Sequence, residues 1–291
     1  MEFLQPRSLP EALAEKAERP EAVPIAGGTD VMVELNFDRR RPEVVLDLTR
    51  VPELGSWDRS EGGVRVGAGV TYTRMVAELA DDLPGLAIAA RTVGSPQIRN
   101  RGTIGGNLGS ASPAGDCHPP LLAVGAEVEV ASASAGTRRI PIDEFFTGPK
   151  ESALAAGELI CAVHVPAATG PQQFAKVGTR NAMVIAVCSF ALALDPSRGR
   201  VGTGIGSAGP TPLQALEAEE FLQGELSSEE LWESRGPLGA AAVARFGELV
   251  AAAARPIDDV RGTAGYRVHA LGVLARRTLT WAWGQHRTGR S

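Results

Sequence analysis

Cysteine is scarce in this 291-residue chain, and its spacing argues against the sites that depend on it. Cys117, Cys161 and Cys188 stand far apart and form no C-x-x-C pair, so the sequence indicates neither an iron–sulfur cluster nor a zinc site. We therefore predict three free thiols in a reducing compartment.

The chain also has no excess of positive charge and no long apolar run. The 29 Lys and Arg against 34 Asp and Glu give a formal net charge of −5. This argues against a general nucleic-acid binder, because phosphate backbones require clustered cations. No segment reaches the ~18 consecutive apolar residues of a membrane span, and the first residues show no signal-peptide pattern. We expect a cytoplasmic protein that binds neither nucleic acid nor membrane.

The four histidines are scattered along the chain. His118, His164, His269 and His286 have no triad-like neighbours and no metal-ligand spacing, so we predict no catalytic side chain and no metal site. His118 follows a glycine-rich turn closely enough to touch a ligand there, or it is a buried structural histidine. The sequence leaves both interpretations open.

What the sequence does contain is two glycine-rich turns. The first, PIAGGTDVMVEL, runs from Pro24 to Leu35, and the second, RNRGTIGGNLGSASPAGD, runs from Arg99 to Asp116. Glycine permits positive φ and lets backbone N–H groups approach an anion closely, so two such turns predict a clamp on a pyrophosphate. A Gly-Gly pair taken singly is more often only a turn. Neither turn has the G-x-G-x-x-G or GK[ST] pattern, so a Rossmann or Walker site is excluded.

Hydrophobic periodicity predicts an α+β chain in two parts. Ser8-Leu9-Pro10-Glu11 caps a helix through Glu18. Further along, we predict strands at 23–26, 43–48, 64–70, 126–132, 137–141 and 158–166, and helices at 30–35, 73–80, 84–93 and from 118. We place a domain boundary near Gly170, giving domains 1–170, with subdomains of about 1–60 and 61–170, and 171–291.

The second part is predicted to combine a sheet with helices. Strands at 174–177, 185–194 and 200–215 would form an antiparallel sheet. Ser227-x-x-Glu230 predicts the start of a helix that is interrupted at Gly236-Pro237 and resumes to Arg255. A second helix is predicted over 266–283, followed by a frayed tail.

The order AGGTD, RNRGTIGGN, ASPAGD resembles the FAD-binding medium subunit of the molybdenum hydroxylases, the family of bacterial xanthine and carbon monoxide dehydrogenases. The resemblance covers nearly the whole chain. It implies a two-part PCMH-type FAD-binding domain, then a small domain with a three-stranded antiparallel sheet and helices. It also implies noncovalent FAD, a molybdopterin-binding large subunit, a small subunit with two [2Fe–2S] clusters, and NAD⁺ as one candidate acceptor.

The turns and the resemblance together define the expected cofactor site. Its residues are Pro24, Ile25, Ala26, Gly27, Gly28, Thr29, Asp30, Val31, Thr103, Ile104, Gly105, Gly106, Asn107, Asp116, Ile160 and Lys176. The turn residues would supply N–H and hydroxyl donors to the pyrophosphate. Asp116 would accept from ribityl or ribose hydroxyls, or else is a helix N-cap. The resemblance places Ile160 and Lys176 near the flavin, where ordinary core packing and solvent exposure are the respective alternatives.

ASPAGD, KVGTRNAM and DDVRGTAGYR resemble xanthine-dehydrogenase-type subunits more than the carbon monoxide type. The expected function is transfer of electrons from iron–sulfur clusters through FAD to NAD⁺ or another acceptor. The alternatives are a carbon monoxide dehydrogenase-type subunit, a self-contained PCMH-type flavin oxidoreductase, and a non-enzymatic scaffold in which the glycines are only turns.

Overall fold

A computed structural model of the chain describes residues 1–60 and 62–289. The first elements form a small parallel sheet. They are β1 (Glu2–Leu4), α1 (Leu9–Glu18), β2 (Val23–Ile25), α2 (Val31–Asn36) and β3 (Val44–Asp47), with strand order β1-β3-β2. The Ser8 hydroxyl accepts from the Glu11 N–H at 3.3 Å, and the Glu11 carboxylate accepts from the Arg7 N–H at 2.7 Å, which fixes the start of α1. The predicted cap and strand–helix–strand unit are thereby confirmed.

A five-stranded antiparallel sheet follows, with the helices around it. The elements are β4 (Trp57–Ser60), β5 (Gly63–Gly67), α3 (Tyr72–Glu78), α4 (Pro84–Thr92), α5 (Pro96–Arg99), α6 (Ile104–Ser110), α7 (His118–Val124), β6 (Glu127–Ser132), β7 (Gly136–Pro141), α8 (Ile142–Phe145), β8 (Phe146–Gly148), β9 (Glu151–Ser152) and β10 (Leu159–Pro166). The sheet order is β4-β5-β10-β6-β7, and β8 and β9 pair as a separate hairpin.

The last part of the chain is a three-stranded sheet covered by helices. Its elements are β11 (Gln172–Val177), β12 (Cys188–Asp195), β13 (Arg200–Gly206), α9 (Leu216–Ser228), α10 (Leu231–Ser234), α11 (Ala240–Ala253) and α12 (Ala264–Thr288). The strands pair antiparallel in the order β11-β12-β13. The predicted α+β class and the three-stranded antiparallel sheet are confirmed.

Two large groups of buried apolar side chains form the cores of the chain. One draws on residues between Ala12 and Val165, and the other on residues between Cys188 and Trp283. A boundary near Gly170 stays a prediction, as does the further division near residue 60. The three cysteines are all free and buried. Among the helices of residues 1–60 and 62–289, none is both long and apolar enough to cross a bilayer.

Two predicted helix boundaries in the last part are wrong. Ser227 does not begin a helix, because α9 starts at Leu216 and ends at Ser228. This helix buries Ala218, Leu222 and Leu226 at a spacing of four residues, although Ala215 before it supplies no side-chain cap. The tail is also ordered further than predicted, since α12 continues to Thr288 and buries His286 against Trp232.

The two parts meet where α7 lies on β13. Glycines at alternate positions of β13 turn one face toward the helix, while Val201 and Ile205 pack into the second core. A Cβ at Gly204 would overlap the Pro119 carbonyl, and one at Gly202 would overlap the Ala123 carbonyl. Only glycine lets the helix backbone come this close to the strand.

We predict that Gly204→Ala lowers the free energy of unfolding by about 1–3 kcal/mol, because the added methyl group forces α7 away from the sheet. Urea or thermal unfolding measures the change. Gly224→Ala is the matched control, since a Cβ at that α9 position meets no atom of the described residues within 4 Å. The control gains up to ~1 kcal/mol from helix propensity. Equal stability of Gly204→Ala and the wild type would show that the close packing of α7 on β13 is wrong.

Candidate functional site

The first glycine turn leaves a run of backbone donors free. Pro24 and Ile25 end β2, and Ala26 to Asp30 lead into α2, which begins at Val31. Gly28 adopts φ +74°, a conformation that favours glycine. Within the described residues, no N–H group from Gly27 to Asp30 donates a hydrogen bond to the protein. Consecutive free N–H groups around a left-handed residue form a concave anion site.

The structure brings the two glycine turns into direct contact. A Cβ at Gly27 would overlap the carbonyl of Arg101, which stands two residues before Thr103. The first turn therefore rests on the backbone of the second. The expectation that the two turns face one ligand is consistent with this contact.

The second turn differs from expectation in its backbone donors. The Ile104 N–H donates to the Val70 carbonyl at 3.1 Å, and the Gly105 N–H donates to the Ala68 carbonyl at 2.9 Å. The Gly106 N–H donates to the Thr103 hydroxyl at 3.0 Å. These bonds tie the start of α6 to the residues after β5, so these three N–H groups are committed to the protein. The groups left for a ligand are side chains, the Thr103 hydroxyl proton and the Asn107 amide.

One face of α6 is open and without side chains. A Cβ at Gly106 would meet only the Thr103 hydroxyl within 4 Å among the described residues. A Cβ at Gly109 would lie 3.6 Å from Cδ1 of Ile160 on β10. Gly106 and Gly109 are exposed and, three residues apart, share one helix face. Ile104, Gly105 and Leu108 of the same helix, in contrast, are buried.

A buried ion pair joins Asp116, just before α7, to Lys176 on β11. Nζ of Lys176 lies 2.5 Å from Oδ2 of Asp116, and both side chains are 9% exposed. The ammonium also donates to the carbonyls of Thr92 at 2.9 Å and Val184 at 3.3 Å. Lys176 therefore does not face solvent, and Asp116 does not cap α7, for which no side-chain cap bond is found among the described residues.

The Asp116 carboxylate is incompletely satisfied. Burial raises its pKa to about 6, although the Lys176 ammonium lowers it. Its Oδ1 atom is buried with no hydrogen-bond partner in the described residues, and so is Oδ1 of Asn107. Buried polar atoms are rarely left unpaired in proteins, so each of these two oxygens indicates a missing partner.

His118 is close to this site but does not open into it. Its side chain is 0% exposed, its Nε2 lies 3.1 Å from the Asn107 carbonyl, and its ring lies 4.4 Å from that of Phe146. Of the two interpretations left open by the sequence, burial favours the structural one.

Comparison with known proteins identifies the family. Residues 1–168 match the family model described as "FAD binding domain in molybdopterin dehydrogenase", and residues 173–282 match "CO dehydrogenase flavoprotein C-terminal domain". The chain belongs to the FAD-binding medium subunits of the molybdenum hydroxylases. FAD is its cofactor, and the fold is a PCMH-type FAD-binding domain followed by a C-terminal domain.

Relatives of this medium subunit are named for different substrates. The nicotinate dehydrogenase FAD-subunit of Eubacterium barkeri is 34% identical over 81% of this chain and 84% of its own. The xanthine dehydrogenase FAD-binding subunit of Escherichia coli O157:H7 is 29% identical over 94% and 93%. A carbon monoxide dehydrogenase structure from Hydrogenophaga pseudoflava superposes with a TM-score of 0.88 at 28% identity, covering 98% of both chains. The family assignment is therefore clear, whereas these relatives do not distinguish a xanthine dehydrogenase subunit from a carbon monoxide or nicotinate dehydrogenase subunit.

The residues of this medium subunit fit FAD. Free N–H groups at the first turn suit a pyrophosphate, and the unpaired oxygen of Asp116 suits a hydroxyl donor. Two contributors were missed by sequence reasoning, Gly109 and the Thr92 carbonyl that holds Lys176. Gly109 was predictable, because it follows Gly106 at the i+3 position of a helix. The Thr92 contact spans 84 residues and has no local signal.

We predict that FAD binds more weakly below pH 6. A hydroxyl that donates to Asp116 favours the carboxylate, so protonation at about pH 6 opposes binding. From pH 7.5 to pH 5 the Kd of FAD should rise about tenfold, because the ionised fraction of Asp116 falls about tenfold for each pH unit below its pKa. Fluorescence titration with FAD measures it.

The control is Asp116→Asn, whose FAD affinity should be weaker and almost independent of pH in this range. The free energy of unfolding of the cofactor-free protein should change in the opposite direction to FAD affinity, rising as the pH falls. The folded-state pKa is raised above the ordinary 3.8, so this group adds stability as pH falls from about 6 to about 4. A pH-independent Kd in the wild type would contradict the contact between Asp116 and a donor of FAD.

Proposed function

We propose that this medium subunit passes electrons from the iron–sulfur clusters of a small partner subunit to NAD⁺ or another acceptor. In this proposal a molybdopterin-binding large subunit oxidises the substrate, and the complex is of the xanthine-dehydrogenase type. The observation that carries the proposal is the contact of the two glycine turns, the second of which leads to the buried Asp116–Lys176 pair. This arrangement suits a flavin nucleotide and leaves substrate oxidation to other chains.

Different groups of the chain would bind different parts of FAD. The N–H groups of Gly27 to Asp30 would bind the pyrophosphate on one side, and the Thr103 hydroxyl and Asn107 amide would bind it on the other. Asp116 would accept from a ribityl hydroxyl. The open face of α6 at Gly106 and Gly109, with Ile160 beside it, would accommodate the flat ring. When bound, FAD supplies the electron and hydride chemistry.

Lys176 would act electrostatically in this arrangement. Its ammonium is nearly buried and has three hydrogen-bond acceptors, one of them the Asp116 carboxylate. A fixed positive charge beside a flavin favours the reduced, more negative form. The proposed role of Lys176 is therefore to favour arrival of electrons, and that of Asp116 is to hold Lys176 and the cofactor together.

The chain's cysteines support separate partners for the clusters. A [2Fe–2S] cluster takes four cysteine thiolates, whereas this chain has three cysteines, at the start of α7, in β10 and in β12. The preference for a xanthine-type complex rests on ASPAGD, KVGTRNAM and DDVRGTAGYR in the sequence. The alternatives are a carbon monoxide dehydrogenase-type subunit and a self-contained flavin oxidoreductase.

We predict that Gly28→Val removes most FAD affinity, since valine resists φ +74° and its side chain would lie near Met32 and Ile25. Gly106→Val should have a similar effect by covering the open face of α6. The loss in each is roughly 3 kcal/mol or more, beyond one hydrogen bond to a charged group at about 1.5–3 kcal/mol. FAD titration measures it.

Gly284→Ala in α12 is the control, because a Cβ there meets nothing within 4 Å among the described residues and the helix lies outside the proposed site. It should keep wild-type affinity. If Gly28→Val and Gly106→Val also keep wild-type FAD affinity, the two turns are ordinary turns and the FAD site lies elsewhere.

The proposed function is tested by comparing flavin reduction in the isolated chain with flavin reduction in the presence of the partner subunits. The isolated FAD-loaded chain, mixed anaerobically with xanthine or a related heterocycle, should keep its visible flavin absorbance. Addition of the molybdopterin and iron–sulfur partner subunits should bleach it, because electrons then reach the flavin through the clusters. NADH should bleach the flavin of the isolated chain if NAD⁺ is the acceptor. Bleaching by a heterocycle without partners would place the substrate site in this chain and support the self-contained enzyme.

A further inference from the structure

We infer that His118 is a positioning residue for the flavin site, which it serves by capping the C-terminal end of α6 without touching the cofactor. The inference rests on the proposed placement of FAD against α6. It assigns to one buried imidazole the task of holding the ligand-facing groups of α6 in register with Asp116.

Helix α6 needs such a cap because of how it ends. It has only seven residues, and Ala111 after it takes a left-handed conformation with φ +43°. The Ala111 N–H turns back to the Leu108 carbonyl at 3.0 Å, so the Asn107 carbonyl loses the i+4 partner that a longer helix would give it. Asn107 also carries the side chain that the proposed site uses. Side-chain donors therefore have to replace the backbone partner at this end of a short helix.

His118 supplies one of two side-chain donors to this carbonyl, and it does so from the start of the next helix, whereas the other donor, Ser110, belongs to α6 itself. The Nε2 atom of His118 lies 3.1 Å from the Asn107 carbonyl, which the Ser110 hydroxyl also approaches at 2.9 Å. The ring is held in place on two sides, by Phe146 at 4.4 Å and by Gly115, where a Cβ would overlap the imidazole. The glycine of ASPAGD therefore makes room for His118 rather than for the ligand.

The imidazole acts as a neutral donor. Burial lowers the pKa of His118 to about 4, outweighing the backbone carbonyl contacts that raise it. Nδ1 has no partner at hydrogen-bond geometry among the described residues, so the single ring proton is assigned to Nε2, facing the carbonyl. The cap consequently persists through the physiological pH range.

The cap connects two groups of the proposed site. Asp116 stands two residues before His118, and Asn107 is the residue whose carbonyl His118 holds. The His118 hydrogen bond therefore ties the segment that carries Asp116 to the helix that carries Asn107, and the side-chain Oδ1 atoms of both residues have no partner among the described residues. Loss of the cap would leave the binding-competent arrangement only partly populated, and the apparent Kd would rise by the inverse of that fraction.

Three substitutions separate the hydrogen bond from the packing. His118→Phe keeps a ring against Phe146 and loses the donor. His118→Gln places an amide N–H at the position of Nε2, and His118→Asn places one at the position of Nδ1. We expect FAD to bind about tenfold more weakly to the Phe and Asn variants, as for loss of one buried hydrogen bond, and the Gln variant to recover most of the affinity. The visible circular dichroism of bound flavin should change in the same order.

His286→Phe is the matched control. His286 is also buried, and its Nε2 lies 3.2 Å from the Trp232 carbonyl, but it stands in α12 among the C-terminal helices. This variant should lose thermal stability while keeping wild-type FAD affinity and flavin spectrum. A purely structural role of His118 would give the same result as this control.

Amide hydrogen exchange in the cofactor-free protein tests the cap independently of FAD. Exchange at Leu108 to Ala111 should accelerate about tenfold or more in the Phe and Asn variants and stay slow in the Gln variant. If the wild-type chain binds no FAD, the proposed function fails while this measurement still decides the cap. Unchanged exchange in the Phe variant, or equal FAD affinity and flavin spectra across all three variants, overturns the inference.

Discussion

Contact between the backbones of the two glycine turns is the constraint on which the site depends. Gly27 rests on the carbonyl of Arg101, and any side chain at residue 27 would separate the two turns. Two other glycines also allow a close approach. A Cβ added at Gly105 would lie only 2.5 Å from the Cβ of Ala68, and one added at Gly204 would overlap the Pro119 carbonyl. In each case the absence of a side chain sets the distance between two elements. The glycines thus build the frame, and the polar groups act within it.

The buried pair of Asp116 and Lys176 is the second requirement, and by itself it costs stability. Taking both charges out of water is compensated only in part by their attraction, as the raised pKa of Asp116 indicates. One carboxylate oxygen also has no hydrogen-bond partner within residues 1–60 and 62–289. A protein selected for stability alone would bury apolar residues here. The unfavourable burial is consistent with a ligand that supplies the missing partner, because binding then recovers part of what folding lost.

Much of this architecture was predictable from local signals, and the failures have physical causes. Ser8 and Glu11 marked α1, alternating residues marked most of the longer strands, and Ala26-Gly27-Gly28 marked a turn after β2. The start of α9 was missed because Ala215 before it provides no cap, and Ser227 was read as a start although it ends that helix. The N–H group of Gly105 was predicted to be free, yet it pairs with Ala68, a contact from 37 residues away that no local pattern reveals. Hydrogen bonds between residues far apart in sequence, rather than the residue types in the glycine motif, therefore determine which backbone N–H groups are available to a ligand.

The relatives explain why the cofactor is evident from this chain and the oxidised substrate is not. Subunits named for nicotinate and xanthine are 34% and 29% identical to it, and a carbon monoxide dehydrogenase structure shares its fold at a TM-score of 0.88. The names of these relatives differ, whereas the FAD-binding domain and the fold are shared. Electrons that reach a flavin carry no record of the molecule that released them. A chain shaped by the cofactor alone therefore retains one fold across many substrates, and function must be argued from its site.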